Sequence, residues 1–171
     1  MNVLNNIEFD KEYLNIVKDI LENPKFLKIK ECIHHGTSRF EHSLRVSYYS
    51  YKIAKKLKLN YKETARGGLL HDFFENTDLT PKKKRLSMFF HPYKAVINAK
   101  DNFNITRLEE DIIINHMFPT LPHKIPKNAE SWIVSMVDKG IATYEFYDAY
   151  GKTYLYRHSH LYIILLLILH W

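Results

Sequence analysis

His71 and Asp72 close the segment Glu63-Thr64-Ala65-Arg66-Gly67-Gly68-Leu69-Leu70, which otherwise reads as a buried helix. An imidazole beside a carboxylate at the end of an apolar stretch is costly to bury unless something pairs with both. A divalent cation does so, because neutral imidazole and ionised carboxylate are ordinary ligands for it. His42, His91, His116 and Asp138 stand in similar settings elsewhere in the chain. Together these residues form a six-residue metal-site hypothesis.

The segments that carry them are helical in period, and no stretch alternates as a strand. Ile7 to Leu21 and Lys25 to Ile33 read as helices separated by Asn23-Pro24, with a turn at His34-His35-Gly36-Thr37. Ser38 is an N-cap with Glu41 three residues on, a capping box that opens a helix from Arg39 to Leu57. That helix places His42, Val46, Tyr49 and Ile53 on one face. Asn60 caps the helix that runs to His71-Asp72, and Asn76 to Leu86, polar and basic, reads as a loop. Pro92 suits the first position of a helix from Tyr93 to about Phe103, which leaves His91 just before its start. Thr106 with Glu109 caps Arg107 to Met117, aligning Ile112, Ile113 and His116. Asn128 opens Ala129 to about Tyr144, aligning Val134, Asp138 and Ile141. With no repeat, linker or low-complexity tract, the expectation is a single all-α domain over residues 1–171.

At 171 residues the chain is long enough for one core. One cysteine, Cys32, excludes an internal disulfide and reads as a core thiol in a reducing cytosol. No basic and apolar leader is visible at the N-terminus, so the expected location is cytoplasmic. The net charge of +6 comes from scattered lysines apart from Lys82-Lys83-Lys84-Arg85 and Lys52, Lys55, Lys56 and Lys58. Such a surface suits small phosphorylated substrates better than nucleic acid. The apolar run Leu161 to Leu169 is shorter than the roughly 20 residues of a membrane span. It reads as part of a C-terminal apolar helix over about 153–170, packed on the core or on a second subunit, with peripheral membrane contact left open.

The order His42, His71-Asp72, Asp138 resembles the metal-dependent HD-domain phosphohydrolase superfamily. The resemblance runs through Arg39-Phe40-Glu41-His42-Ser43-Leu44-Arg45-Val46, Gly67-Gly68-Leu69-Leu70-His71-Asp72 and Ile133-Val134-Ser135-Met136-Val137-Asp138-Lys139, across about residues 34–145. It implies an all-helical HD-domain fold in which His42, His71, Asp72 and Asp138 hold one ion. His91 and His116 occupy the place where binuclear members carry a second metal, with Asp72 as the bridge. As structural alternatives, His91 is a loop residue and His116 a hydrogen-bonded core histidine. His34 and His35 read as turn residues, and His123, His158, His160 and His170 as structural.

His71-Asp72-Phe73-Phe74-Glu75 is similar to the HDxxE of HD-type nucleotidases and alarmone hydrolases, where the glutamate sits near the attacking water. Asn76 in place of a second acid argues against a close alarmone-hydrolase match, and the absence of HHE and GYP triplets against a cyclic-di-GMP phosphodiesterase. Glu75 is accordingly either catalytic, with Asp72, or a surface glutamate. Arg39 and Lys139 are candidates for substrate phosphate; for Lys139 a surface ion pair is favoured. The resemblance implies a hydrolase acting on a phosphomonoester or phosphodiester of a nucleotide, by attack of water activated by two divalent transition-metal ions (iron, manganese, zinc or similar). The alternatives are a regulatory HD module without turnover and a binuclear-iron oxygenase on the same scaffold.

Overall fold

The computed structural model describes residues 7–34, 37–75 and 81–151. Helix α1 (Lys11–Leu21) starts where the Asp10 side chain accepts the Tyr13 backbone N–H, and it buries Tyr13, Val17 and Ile20 along one stripe. Asn23 caps the short α2 (Pro24–Leu27), with Pro24 at its first position. The expected continuation to Ile33 is instead a 3-10 turn over Lys28–Glu31, followed by a two-stranded hairpin in which Ile33 pairs with Ser38 and His34 with Thr37.

Ser38 caps α3 (Arg39–Lys56), its side chain accepting the Glu41 N–H at 3.2 Å. The buried face of α3 is not the expected one. Tyr49 and Ile53 are 41% and 39% exposed, while Ser43, Ser47, Ser50 and Ala54 are fully buried alongside His42 and Val46. Small side chains win because α3 lies close against its neighbours, and the hydroxyls of Ser43 and Ser50 have no hydrogen-bond partner among the described residues. Cys32 is half-buried rather than a core thiol.

Helix α4 (Tyr61–Leu70), capped by Asn60, packs on α1, α3 and α6. Helix α5 runs over Pro81–Asn102, so residues 81–86 are helical rather than loop, and both His91 and Pro92 lie inside a helix. Pro92 forgoes one backbone hydrogen bond there instead of starting the helix. Helix α6 (Arg107–Asn115) opens on the expected capping box of Thr106 and Glu109. Helix α7 (Ala129–Phe146) opens at Asn128, whose side chain does not cap it but donates to Asp111 Oδ2 at 3.1 Å. A π-helical turn, Tyr147–Gly151, follows. The chain is an all-α single domain, and the hairpin is its only strand structure among the described residues.

The main core joins Tyr13, Val17, Ile20, Phe26, Tyr51, Leu69 and Leu70, with Ala95 and Ala99 of α5. A second cluster, Val46, Ile112 and Val134, lies where α3, α6 and α7 meet. Among the described residues no helix is long and apolar enough to cross a membrane. The apolar helix expected over about 153–170 lies outside them, as do His35, His158, His160 and His170.

Two glycines set how closely α4 approaches its neighbours. A Cβ on Gly68 would lie 3.1 Å from the Ser47 Cα of α3, and one on Gly67 2.9 Å from Ile112 of α6. Gly140 of α7 has nothing within 4 Å of such an atom among the described residues. We expect Gly68→Ala to destabilise by roughly 1–3 kcal/mol through overpacking against backbone. Gly140→Ala should instead stabilise by about 0.5–1 kcal/mol from helix propensity alone. Denaturant midpoints of the two variants test this opposition of sign.

Candidate metal centre

The residues with metal-ligand chemistry come from the ends of α4 and α6 and from within α3, α5 and α7. His71 and His116 occupy the C-cap positions of α4 and α6. The last carbonyls of a helix lack intrahelical partners. Each of these rings uses one: His71 Nδ1–H donates to the Gly68 carbonyl and His116 Nδ1–H to the Ile113 carbonyl, both at 2.7 Å. A carbonyl only accepts, so the proton sits on Nδ1 and the Nε2 lone pair is left to face inward. The negative ends of two helix dipoles also meet here, which favours a cation.

Asp72, directly after α4, reaches into the ring of imidazoles. Its Oδ1 lies 3.3 Å from His91 Nε2 and 3.7 Å from His116 Nε2, and its Oδ2 lies 4.0 Å from His71 Nε2. His91 and His116 bring their Nε2 atoms to 3.0 Å. On the other side, Asp138 Oδ1 lies 3.1 Å from His42 Nε2 and 3.8 Å from His71 Nε2. All six candidate ligands are buried and converge on one cluster. His91 reaches it from within a helix, so its reading as a loop residue is corrected.

The cluster fits a cation on its own evidence. His71 Nε2 and Asp72 Oδ1 are buried and make no hydrogen bond among the described residues, a costly condition that a metal ion would relieve. The donor atoms of His42, His71 and Asp138 lie within 4.8 Å of one another, and so do those of His71, Asp72 and His116. Neutral imidazoles with carboxylates suit a divalent transition metal.

Ionisation follows the same surroundings. Burial pushes His71 down and His116 well down, toward the neutral form a ligand needs. For Asp72, burial acts upward, but the charges of the surrounding histidines and Arg39 outweigh it and hold the carboxyl well below the usual range. Burial likewise opposes ionisation of Asp138, yet its hydrogen bond with His42 and the nearby His71 and Lys139 hold it low. His42 is the exception among the rings. Burial would lower it, but hydrogen bonds to Asp138 and Glu145 carry it up to about 10.

The other candidates fall around this centre. Arg39, 1% exposed, lies with Nε 3.8 Å from Asp72 Oδ2, donates from Nη1 to the Phe74 carbonyl at 2.6 Å and stacks over the Phe74 ring. Phe74 in turn stacks on His91, their ring centroids 5.0 Å apart. Lys139 forms no mere surface pair: its Nζ donates to Asp138 Oδ2 at 2.6 Å and to the His116 carbonyl at 2.9 Å. Glu75 is exposed, at the end of the described stretch after Asp72, and His123 is exposed too.

Glu145 was not foreseen. It is buried on α7, and its Oε2 accepts from His42 Nδ1 at 2.7 Å while its Oε1 accepts from Arg45 at 2.6 Å. The available signal was spacing: Glu145 stands seven residues, two helical turns, beyond Asp138 and so shares its face. Comparison with curated proteins and with solved structures gave no match. The HD-domain family model matches residues 39–142, more than half of the chain, and this span contains all six clustered residues. The chain therefore belongs to the HD-domain family of the metal-dependent phosphohydrolase superfamily.

Proposed function

We propose that this protein hydrolyses a phosphomonoester or phosphodiester, with a nucleotide as the substrate class, at a centre holding two divalent transition-metal ions. The observation that carries the reading is the buried Asp72, with one oxygen that makes no hydrogen bond among the described residues and three imidazoles around it, in a chain of this family. His42, His71, Asp72 and Asp138 would hold one ion, and His91 and His116 the other, with Asp72 shared. Bound there, the metal supplies Lewis acidity toward a phosphoryl oxygen and lowers the pKa of water.

The chain's own residues prepare that chemistry. The Gly68 and Ile113 carbonyls lock two rings in one tautomer, so little reorganisation is needed when a cation enters. Arg39 is covered by Phe74 and acts on Asp72 by charge, holding it ionised. Lys139 has a side chain 28% exposed and is the better placed of the two cations to meet substrate phosphate. Glu75 is exposed on the stretch that carries Asp72, and in this reading it takes a proton from the attacking water. The basic net charge of +6 favours the approach of an anionic substrate.

Elemental analysis of gently purified protein should find close to two transition-metal ions per chain, with both lost from Asp72→Ala. A native protein that binds none, even after reloading with manganese or iron, would sink the proposal. A single ion would leave the hydrolase reading but remove His91 and His116 from the ligand set. A second prediction concerns Glu75. Glu75→Gln should lower kcat for the best phosphoester found in a screen by about 100-fold or more at unchanged metal content. Unaltered turnover would make Glu75 a surface glutamate.

A further inference from the structure

Glu145 lies outside the span matched by the family model, which ends at residue 142, yet it touches the centre. We propose that Glu145, clamped by Arg45, is a positioning residue for the metal ligand His42 and makes the His42 end of the cluster the tighter cation site. The inference rests on the two-ion reading above and adds an order of affinity to it.

Geometry separates His42 from the other fixed rings. His71 and His116 direct Nδ1–H at neutral backbone carbonyls. His42 directs Nδ1–H at a carboxylate that is 4% exposed and joined to α3 across 103 residues of sequence. A carboxylate on the far nitrogen of a ligating imidazole fixes its tautomer and raises the basicity of the nitrogen that faces the metal. A carbonyl fixes the tautomer with less electronic effect, so His42 is the strongest imidazole donor of the three.

Both oxygens of Glu145 are used. Oε1 accepts from Arg45 Nη1 at 2.6 Å, and Arg45 reaches onward to Thr37 Oγ1 at 3.4 Å, while Thr37 Oγ1 donates to Glu41 Oε2 at 2.7 Å. The guanidinium thus compensates the buried charge and holds the carboxylate in one orientation. A simple ion pair between Arg45 and Glu145 would gain more from keeping both groups in water. Here Arg45 is 24% exposed at its side chain and Glu145 only 3%, so the acid is drawn inward to the imidazole.

The test is a cobalt(II) titration of the full chain against a competing chelator, read from the visible absorption of the bound ion. Wild-type protein should bind in two steps. Glu145→Gln, which keeps shape and one acceptor oxygen but loses the charge, should weaken the tighter step by about 10–100-fold and spare the weaker one. The double variant Glu145→Leu with Arg45→Met removes both charges together and leaves only the His42 Nδ1–H without its acceptor, so it should stay folded and melt below the wild-type temperature by no more than Glu145→Leu alone. It should still show the weakened first step, which a merely structural pair would not produce. Wild-type affinity in the Gln variant, or a loss confined to the weaker step, overturns the inference while leaving the two-ion reading intact. A wild-type chain that binds no cobalt removes that reading and the inference together.

Discussion

A carboxylate buried among imidazoles is the constraint on which the rest of this structure depends. Among the described residues Asp72 has one oxygen without a hydrogen bond, and the Nε2 of His71 beside it has none either. Left so, each would cost on the order of 1–3 kcal/mol or more. The burial of both is explained if the fold is built for a cation. Arg39 carries a permanent charge to within 3.8 Å of Asp72 and is itself covered by Phe74. It offsets part of the carboxylate's charge and leaves an oxygen directed at the histidines.

The helices meet in the way this demand requires. Two of them, α4 and α6, end at the centre, so their last carbonyls orient His71 and His116 and their dipoles add negative potential. Ending two helices at one point requires close approach, and Gly67 and Gly68 supply it. The carbonyl of Gly68 also orients His71, so packing distance and ligand orientation are fixed by the same residue. The apolar contact of Val46, Ile112 and Val134 then ties α3, α6 and α7 together beside the ligands. Core packing and site geometry are one problem in this protein, which is why a cavity or an overpacked side chain near α4 would be felt at the centre.

How much of this could be read beforehand depended on whether the signal was local. Caps were local: Asn60 and the Thr106–Glu109 box act as their sequence suggested, and so does the Ser38 side chain, although the Glu41 carboxylate accepts from Thr37 Oγ1 and does not complete a box with Ser38. The six candidate ligands stood out because imidazoles and carboxylates on apolar stripes are anomalous in themselves. Pro92 misled because its preference for a first helical turn is a tendency, and α5 accepts the missing hydrogen bond. Tyr49 and Ile53 misled because apolar character was read as burial, whereas close packing of α3 selected serine and alanine for its inner face. Two-residue strands carry too little pattern to announce themselves at all.

Glu145 shows the limit most clearly. An acid two turns beyond Asp138 is ordinary on any helix, and nothing adjacent marks it as buried. Its meaning appears only when α3 crosses α7 and brings His42 and Arg45 to its two oxygens. Ligands announce themselves because their chemistry is out of place in sequence; the groups that orient ligands do not, because they are out of place only in space. The same distinction applies to Lys139, which reads as a surface charge until the end of α6 brings the His116 carbonyl within 2.9 Å of its ammonium group. A sequence can therefore mark the candidate metal ligands while concealing the residues whose hydrogen bonds hold them in place.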